Sequence, residues 1–166
     1  MKTIELKLAP LDANNILQQK IHSVLLSTDY QECWNELDLC QKIENAFGMA
    51  NLPYYREIAV LIPIDCTLRY RSALCYHQGK FWIRKRIDFL VEDIILEVKC
   101  KPELQANDKK QLLEYLNCPT VSAVLLAMFD YFPSYGARLL TLNQVKYGQG
   151  RYNLDLPTRN HTITKA

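Results

Sequence analysis

Residues 86–101 read RIDFLVEDIILEVKCK, two apolar runs that meet at Glu92-Asp93 and carry charge where a covered strand ordinarily has none. Val91-Glu92-Asp93-Ile94 has the length of a tight turn. Strands joined there pair antiparallel with residue numbers summing to 185. That register sets Asp88 opposite Glu97 and Arg86 opposite Lys99, with opposed Cβ atoms about 4.5–5.5 Å apart. Alternation puts Asp88, Glu97 and Lys99 on one face and Leu96 and Val98 on the other. Two opposed carboxylates repel, and a divalent cation resolves the repulsion. Mg²⁺ is a hard ion that takes oxygen ligands at about 2.0–2.1 Å and keeps several waters. Lys99 beside such an ion can position a water or offset charge on a phosphate. The same residues also allow diagonal Asp88–Lys99 and Arg86–Glu97 ion pairs on a solvated sheet face, with no chemistry at all.

Working outward, residues 102–109 are polar and read as a loop, with Asn107 or Asp108 capping a helix over KKQLLEYLN that ends before Pro119. VSAVLLAMF (121–129) is an apolar run suited to a strand covered on both faces, and ARLLTLNQV (137–145) to an edge strand. Upstream, RSALCYH and KFWIRKRIDFLV flank His77-Gln78-Gly79 as a hairpin, and EIAVLIPI is a strand halted near Pro63. Two helices precede these. The first covers 12–27, capped by Asp12, with Leu17, Ile21, Val24 and Leu25 as its apolar stripe. The second starts at Thr28 or Asp29 and runs to Phe47, ended by Gly48. Its wet face is Gln31, Asn35, Asp38, Lys42 and Asn45, and its dry face is Cys33, Leu37, Cys40, Ile43 and Phe47. Glu32 lies at the edge of the dry stripe, and Glu36 and Glu44 lie within it. A carboxylate there needs compensation, whether a helix end, an inter-helix ion pair or a site. With no repeat or linker, residues 1–148 read as one domain and 149–166 as a polar tail.

The chain of 166 residues is long enough to bury about two-thirds of its unfolded surface, and 49% hydrophobic with 23% charged residues is a globular balance. Its net charge of +2 is unevenly spread: residues 1–65 carry −4, residues 66–110 carry +4 and the remainder +2. The middle third can therefore face an anionic partner. Six cysteines without a C-x-x-C pair and three scattered histidines argue against zinc and iron–sulfur sites. MKTIELKLAP has no apolar signal core and no window reaches membrane-spanning length, so a cytoplasmic protein with reduced thiols is expected.

Asp88, eight intervening residues and then Glu97-Val98-Lys99 resembles the PD-(D/E)XK nuclease superfamily. Downstream, Gln111 opens QLLEYL ahead of VSAVLLAMFDY, an order similar to the GxxExxY branch; Arg86, Asp88, Val91, Glu97, Lys99, Gln111, Leu112, Tyr115 and Leu116 fit its pattern. The resemblance implies an α/β, restriction-endonuclease-like fold, a mixed β-sheet core flanked by α-helices. It further implies Asp88 and Glu97 as ligands of Mg²⁺ or Mn²⁺ with the Val98 carbonyl as a third, Lys99 as the catalytic lysine, and Gln111 orienting it or the phosphate. Glu32 is the acid expected from the first core helix, with Glu36 its competitor, because Asp29 and Asn35 stand where the branch has Gly and Tyr. Ile87 replaces the superfamily's nominal Pro.

Two functions follow. One is Mg²⁺-dependent hydrolysis of DNA, ahead of RNA, with Arg69, Arg71, Lys80, Arg84, Lys85, Arg86 and Lys101 on the nucleic-acid backbone and Tyr70, Tyr76 and Trp82 able to stack on bases. The other is an inactive nuclease-fold module that binds nucleic acid or a partner protein. No membrane partner is expected, and a homodimer stays open. A glycine-rich phosphate loop and Ser-His or Cys-His arrangements are missing, which sets other enzyme classes aside.

Overall fold

The computed structural model describes residues 5–64, 75–77 and 80–148. The chain forms β1 (Leu6–Ala9), α1 (Ile16–Ser27), α2 (Glu36–Met49), β2 (Tyr55–Arg56), β3 (Ala59–Ile64), β4 (Cys75–His77), β5 (Lys80–Arg86), β6 (Phe89–Val91), β7 (Ile94–Cys100), α3 (Ala106–Tyr115), β8 (Ala123–Phe132) and β9 (Gly136–Tyr147). Six strands make a mixed sheet in the order β1-β9-β8-β7-β6-β2, and β3-β5-β4 make a second, antiparallel one. Among the described strands only β7 and β8 run parallel, and a parallel pair needs a crossover, which α3 supplies. The result is a mixed α/β architecture consistent with a restriction-endonuclease-like fold.

Every residue of β7 but Cys100 is buried, because helices cover both faces. On one side Ile94, Leu96 and Val98 pack with Ile21 and Leu25 of α1 and Leu39, Ile43 and Phe47 of α2. On the other, Ile95 packs with Leu112 and Tyr115 of α3, with Leu116 just after it, and with Val60, Ile62 and Ile83 of the second sheet. VSAVLLAMF is the doubly covered strand β8, as its composition requires. ARLLTLNQV is not an edge strand: β1 pairs outside it, Leu6 against Tyr147. The hairpin around His77-Gln78-Gly79 is present as the pair His77↔Lys80, its two central residues lying outside the described ones. Pro63 sits within β3, opposite Trp82, rather than halting it; β3 is an edge, where a residue lacking an N–H is tolerated.

The helix starts differ from the sequence reading. Asn15, not Asp12, caps α1, its side chain accepting the Gln18 N–H at 3.0 Å, while Asp12 accepts from Asn14. Asn35, not Thr28 or Asp29, caps α2 and accepts the Asp38 N–H at 2.8 Å, and Gly48 lies inside the helix. Asparagine caps a helix as well as aspartate or threonine does, so which Asx residue wins is decided by packing. Residues 28–35 are held instead against the β8–β9 hairpin. Gln31 bridges Gly136, and the Glu32 N–H donates to the Tyr135 carbonyl at 3.3 Å. With α2 beginning late, Leu37 turns outward (66% exposed) and Leu39 takes the inner position. The start of α3 moves too: Gln105, not Asn107 or Asp108, is the cap, and Asp108 accepts its N–H at 2.8 Å from the third helical position.

Candidate active site

Val91 pairs with Ile94, Leu90 with Ile95 and Phe89 with Leu96, so the hairpin has the 185 register. Glu92 takes φ +54 at the first central position of the turn. The ladder then stops. Ile87 donates its N–H to the Ile58 carbonyl at 3.0 Å, and Arg86 pairs with Ala59 in the second sheet. KFWIRKRIDFLV is therefore two strands, and Arg86 does not oppose Lys99. Ile83 and Ile87 are both buried in the core on the α3 side. Arg86 is left 73% exposed in its side chain, 3.4 Å from Glu57.

Asp88 follows as the first residue past the ladder. Its Oδ2 accepts the Val98 N–H at 2.9 Å, so the side chain stands where the carbonyl of a continuing strand would. Glu97 is 4% exposed and Lys99 9%, so neither belongs to a solvated sheet face. Lys99 Nζ lies 3.3 Å from Glu97 Oε1, donates to Gln111 Oε1 at 3.2 Å, and lies 3.6 Å from Asp108 Oδ1. Glu97 Oε2 is buried without a hydrogen-bond partner. Val98 joins through its backbone, its side chain packing on the α1/α2 side.

The electrostatics follow from burial. Desolvation, then the charge of Asp88, pushes the Glu97 carboxyl up to about 8. Burial likewise raises Asp88, against the Val98 N–H and Lys99, which favour its charged form. For Lys99 burial works downward, but Glu97, Glu36 and Asp108 together outweigh it and hold the ammonium above its ordinary value. The site is a row of oxygens short of positive charge.

Of the two candidate acids from the N-terminal helices, Glu36 is the one brought here. It stands on the first turn of α2, its Oε1 accepts the Cys100 N–H at 3.3 Å, and its charge reaches Asp88 and Lys99. Glu32 precedes the helix, exposed and at φ +67, and does not reach the row. The signal lay in spacing: 36, 40, 43 and 47 form one helical stripe that ends in Phe47 at the core. Asp108 was read only as a cap, yet it lies three residues before Gln111 and so on the same helical face.

Among the described residues, no group of three or more His, Cys, Asp or Glu side chains is arranged to hold a metal ion. Of the basic residues, Arg84 and Arg86 are exposed on β5, Lys85 is 3.3 Å from buried Glu114, and Lys101 is 2.9 Å from Asp108. Arg69, Arg71 and Tyr70 lie outside the described residues, as does the tail 149–166, and the structure describes no side chain for Tyr76 or Lys80. Among the described residues no helix is long and apolar enough to cross a membrane. Cys33, Cys40, Cys100 and Cys118 are free thiols.

A solved chain described as "Crystal structure of SSO0001" is similar at 19% identity with a TM-score of 0.41, over 76% of this chain and 53% of that one, so the present chain spans about half its length. No curated protein matches the sequence. Residues 63–138, which include Asp88, Glu97, Lys99, Asp108 and Gln111, match the family model described as PD-(D/E)XK nuclease superfamily, without distinguishing the GxxExxY branch. Over residues 63–138, somewhat under half of its length, the chain is similar to the PD-(D/E)XK nuclease superfamily.

Proposed function

We propose that the protein is a metal-dependent nuclease that hydrolyses phosphodiester bonds, of DNA ahead of RNA. The observation that carries this reading is Lys99, its ammonium held between Glu97 Oε1 and Gln111 Oε1 at 3.3 and 3.2 Å beside the Asp88 carboxylate. A buried carboxylate oxygen with no partner, Glu97 Oε2, is the atom a cation would satisfy. The donor set fits a hard ion: Asp88 and Glu97 would hold Mg²⁺ or Mn²⁺ with the Val98 carbonyl, waters completing the sphere. Glu36 takes the place expected of Glu32 as the neighbouring acid. A bound divalent ion would polarise the phosphate and acidify a water. Lys99 then orients the attacking water and offsets charge growing on the phosphate. Gln111 and Asp108, on one face of α3, both hold the ammonium. Arg84 and Arg86, exposed on the second sheet, would meet the nucleic-acid backbone together with Arg69, Arg71 and Lys101.

Incubation with supercoiled, linear and single-stranded DNA and with RNA, with and without Mg²⁺ or Mn²⁺, tests this. Cutting should need the metal and fall by about 10²–10⁴-fold in Lys99→Met. One observation favours a binding module instead: among the described residues, no three acidic side chains converge on one point. Nucleic-acid binding without cutting under either metal decides for that second reading.

A further inference from the structure

We propose that Tyr115 is a positioning residue, and that α3 sets the aim of Asp88 relative to Lys99 through a single face. The inference rests on the nuclease reading and deepens it. Gln111 and Tyr115 are four residues apart, one turn along the same side of α3. The first holds the Lys99 ammonium at 3.2 Å. The second donates its hydroxyl to the Arg86 carbonyl at 3.0 Å, two residues before Asp88. Tyr115 is fully buried against Ile87 and Ile83, so its hydroxyl has a fixed position.

The hydrogen bond matters because of where the ladder ends. Phe89↔Leu96 is the last pair between β6 and β7, so backbone pairing to β7 does not locate Asp88. The crossover segment is held by a few bonds. Ile87 N–H reaches the Ile58 carbonyl at 3.0 Å, and the Asp88 carbonyl accepts from Glu57 N–H at 3.0 Å and Arg56 Nη1 at 3.4 Å. All of these tie the segment to residues 56–58, at the junction of β2 and β3. Tyr115 alone among them ties the segment to the helix that also grips Lys99. Loss of its hydroxyl leaves the ring in place and frees the aspartate to shift against the lysine.

The test compares Tyr115→Phe with Val124→Ala, a cavity variant on β8 in the same core. In both variants the amide hydrogen exchange of Val98, whose N–H is bound by Asp88, is measured without metal against that of Leu126. Mn²⁺ affinity is then measured by calorimetry. Tyr115→Phe should speed Val98 exchange and weaken Mn²⁺ binding, each by about fivefold, and Val124→Ala should do neither at a similar melting temperature. Equal Val98 exchange in the two variants overturns the proposal, and so does unchanged Mn²⁺ affinity in Tyr115→Phe when the parent binds the ion. Faster Val98 exchange in a protein whose parent form neither binds Mn²⁺ nor cuts leaves Tyr115 as the residue that aims Asp88 and sinks the nuclease reading instead.

Discussion

The two faces of β7 are equally dry and chemically opposite. Toward α1 and α2 the strand offers Ile94, Leu96 and Val98, all apolar and enclosed. Toward α3 it offers Ile95, then Glu97 and Lys99, enclosed as well but charged. Burying charge costs several kcal/mol per ion unless it is well paired, and here one carboxylate oxygen remains unpaired. Such a row persists only because the opposite face holds the strand in place. One face supplies stability; the other holds groups at unfavourable ionisation.

The comparison breaks first on the apolar side. Leu96→Ala should cost about 2–5 kcal/mol in urea unfolding, since its side chain has no access to water and its neighbours on α2 cannot close the gap. A loss under about 1 kcal/mol would mean that this face is not the anchor.

On the charged side the sign reverses. Glu97 titrates at about 8 in the fold against an ordinary 4.5, so between those values the folded chain keeps a proton that the unfolded chain releases. Its contribution to stability is complete below about pH 4.5 and is lost as pH rises through about 8. Asp88, also raised, acts in the same direction. The melting temperature without metal should therefore fall between about pH 6 and pH 9, and Glu97→Gln should flatten that fall without lowering the plateau. Mn²⁺ affinity should climb over the same interval, because the ion needs the deprotonated carboxylate. A sharp loss of melting temperature in Glu97→Gln at pH 6 would instead make Glu97 and Lys99 a structural ion pair.

The smallest effect sharpens the comparison at its border. Glu36 reaches the charged row from the helix that packs on the apolar face. Glu36→Gln should weaken Mn²⁺ binding about two- to fivefold in calorimetry, and Glu32→Gln should leave it unchanged. The reverse ranking would return the role to Glu32.

How much of this was legible follows from how local each feature is. The 185 register could be read because two β-rich runs and a two-residue turn define it without help from the rest of the chain. The break at Arg86–Ile87 could not, since KFWIRKRIDFLV has the composition of one strand and only the core beneath Ile87 divides it. Gln111, Lys99 and Asp88 came together because a β-helix-β crossover fixes their order in space. Glu36 was visible on the stripe 36-40-43-47, but a motif spacing pointed to Glu32, and the late start of α2 at Asn35 removed that residue from the helix. β1 went unread because four residues, LKLA, say little until a partner 135 or more positions away is known.

That distant partnership orders events during synthesis. Leu6–Ala9 leaves the ribosome before anything else in the sheet, yet its ladder partner ends at Tyr147, and Gly148 donates to the Glu5 carbonyl at 2.6 Å. The strand of the sheet that is made first must wait for its partner, so Leu6–Ala9 stays unpaired and β8 keeps an open flank until nearly the whole described chain has emerged. Nascent copies crowded on one message share that open flank, the kind of unsatisfied border through which neighbours stick together.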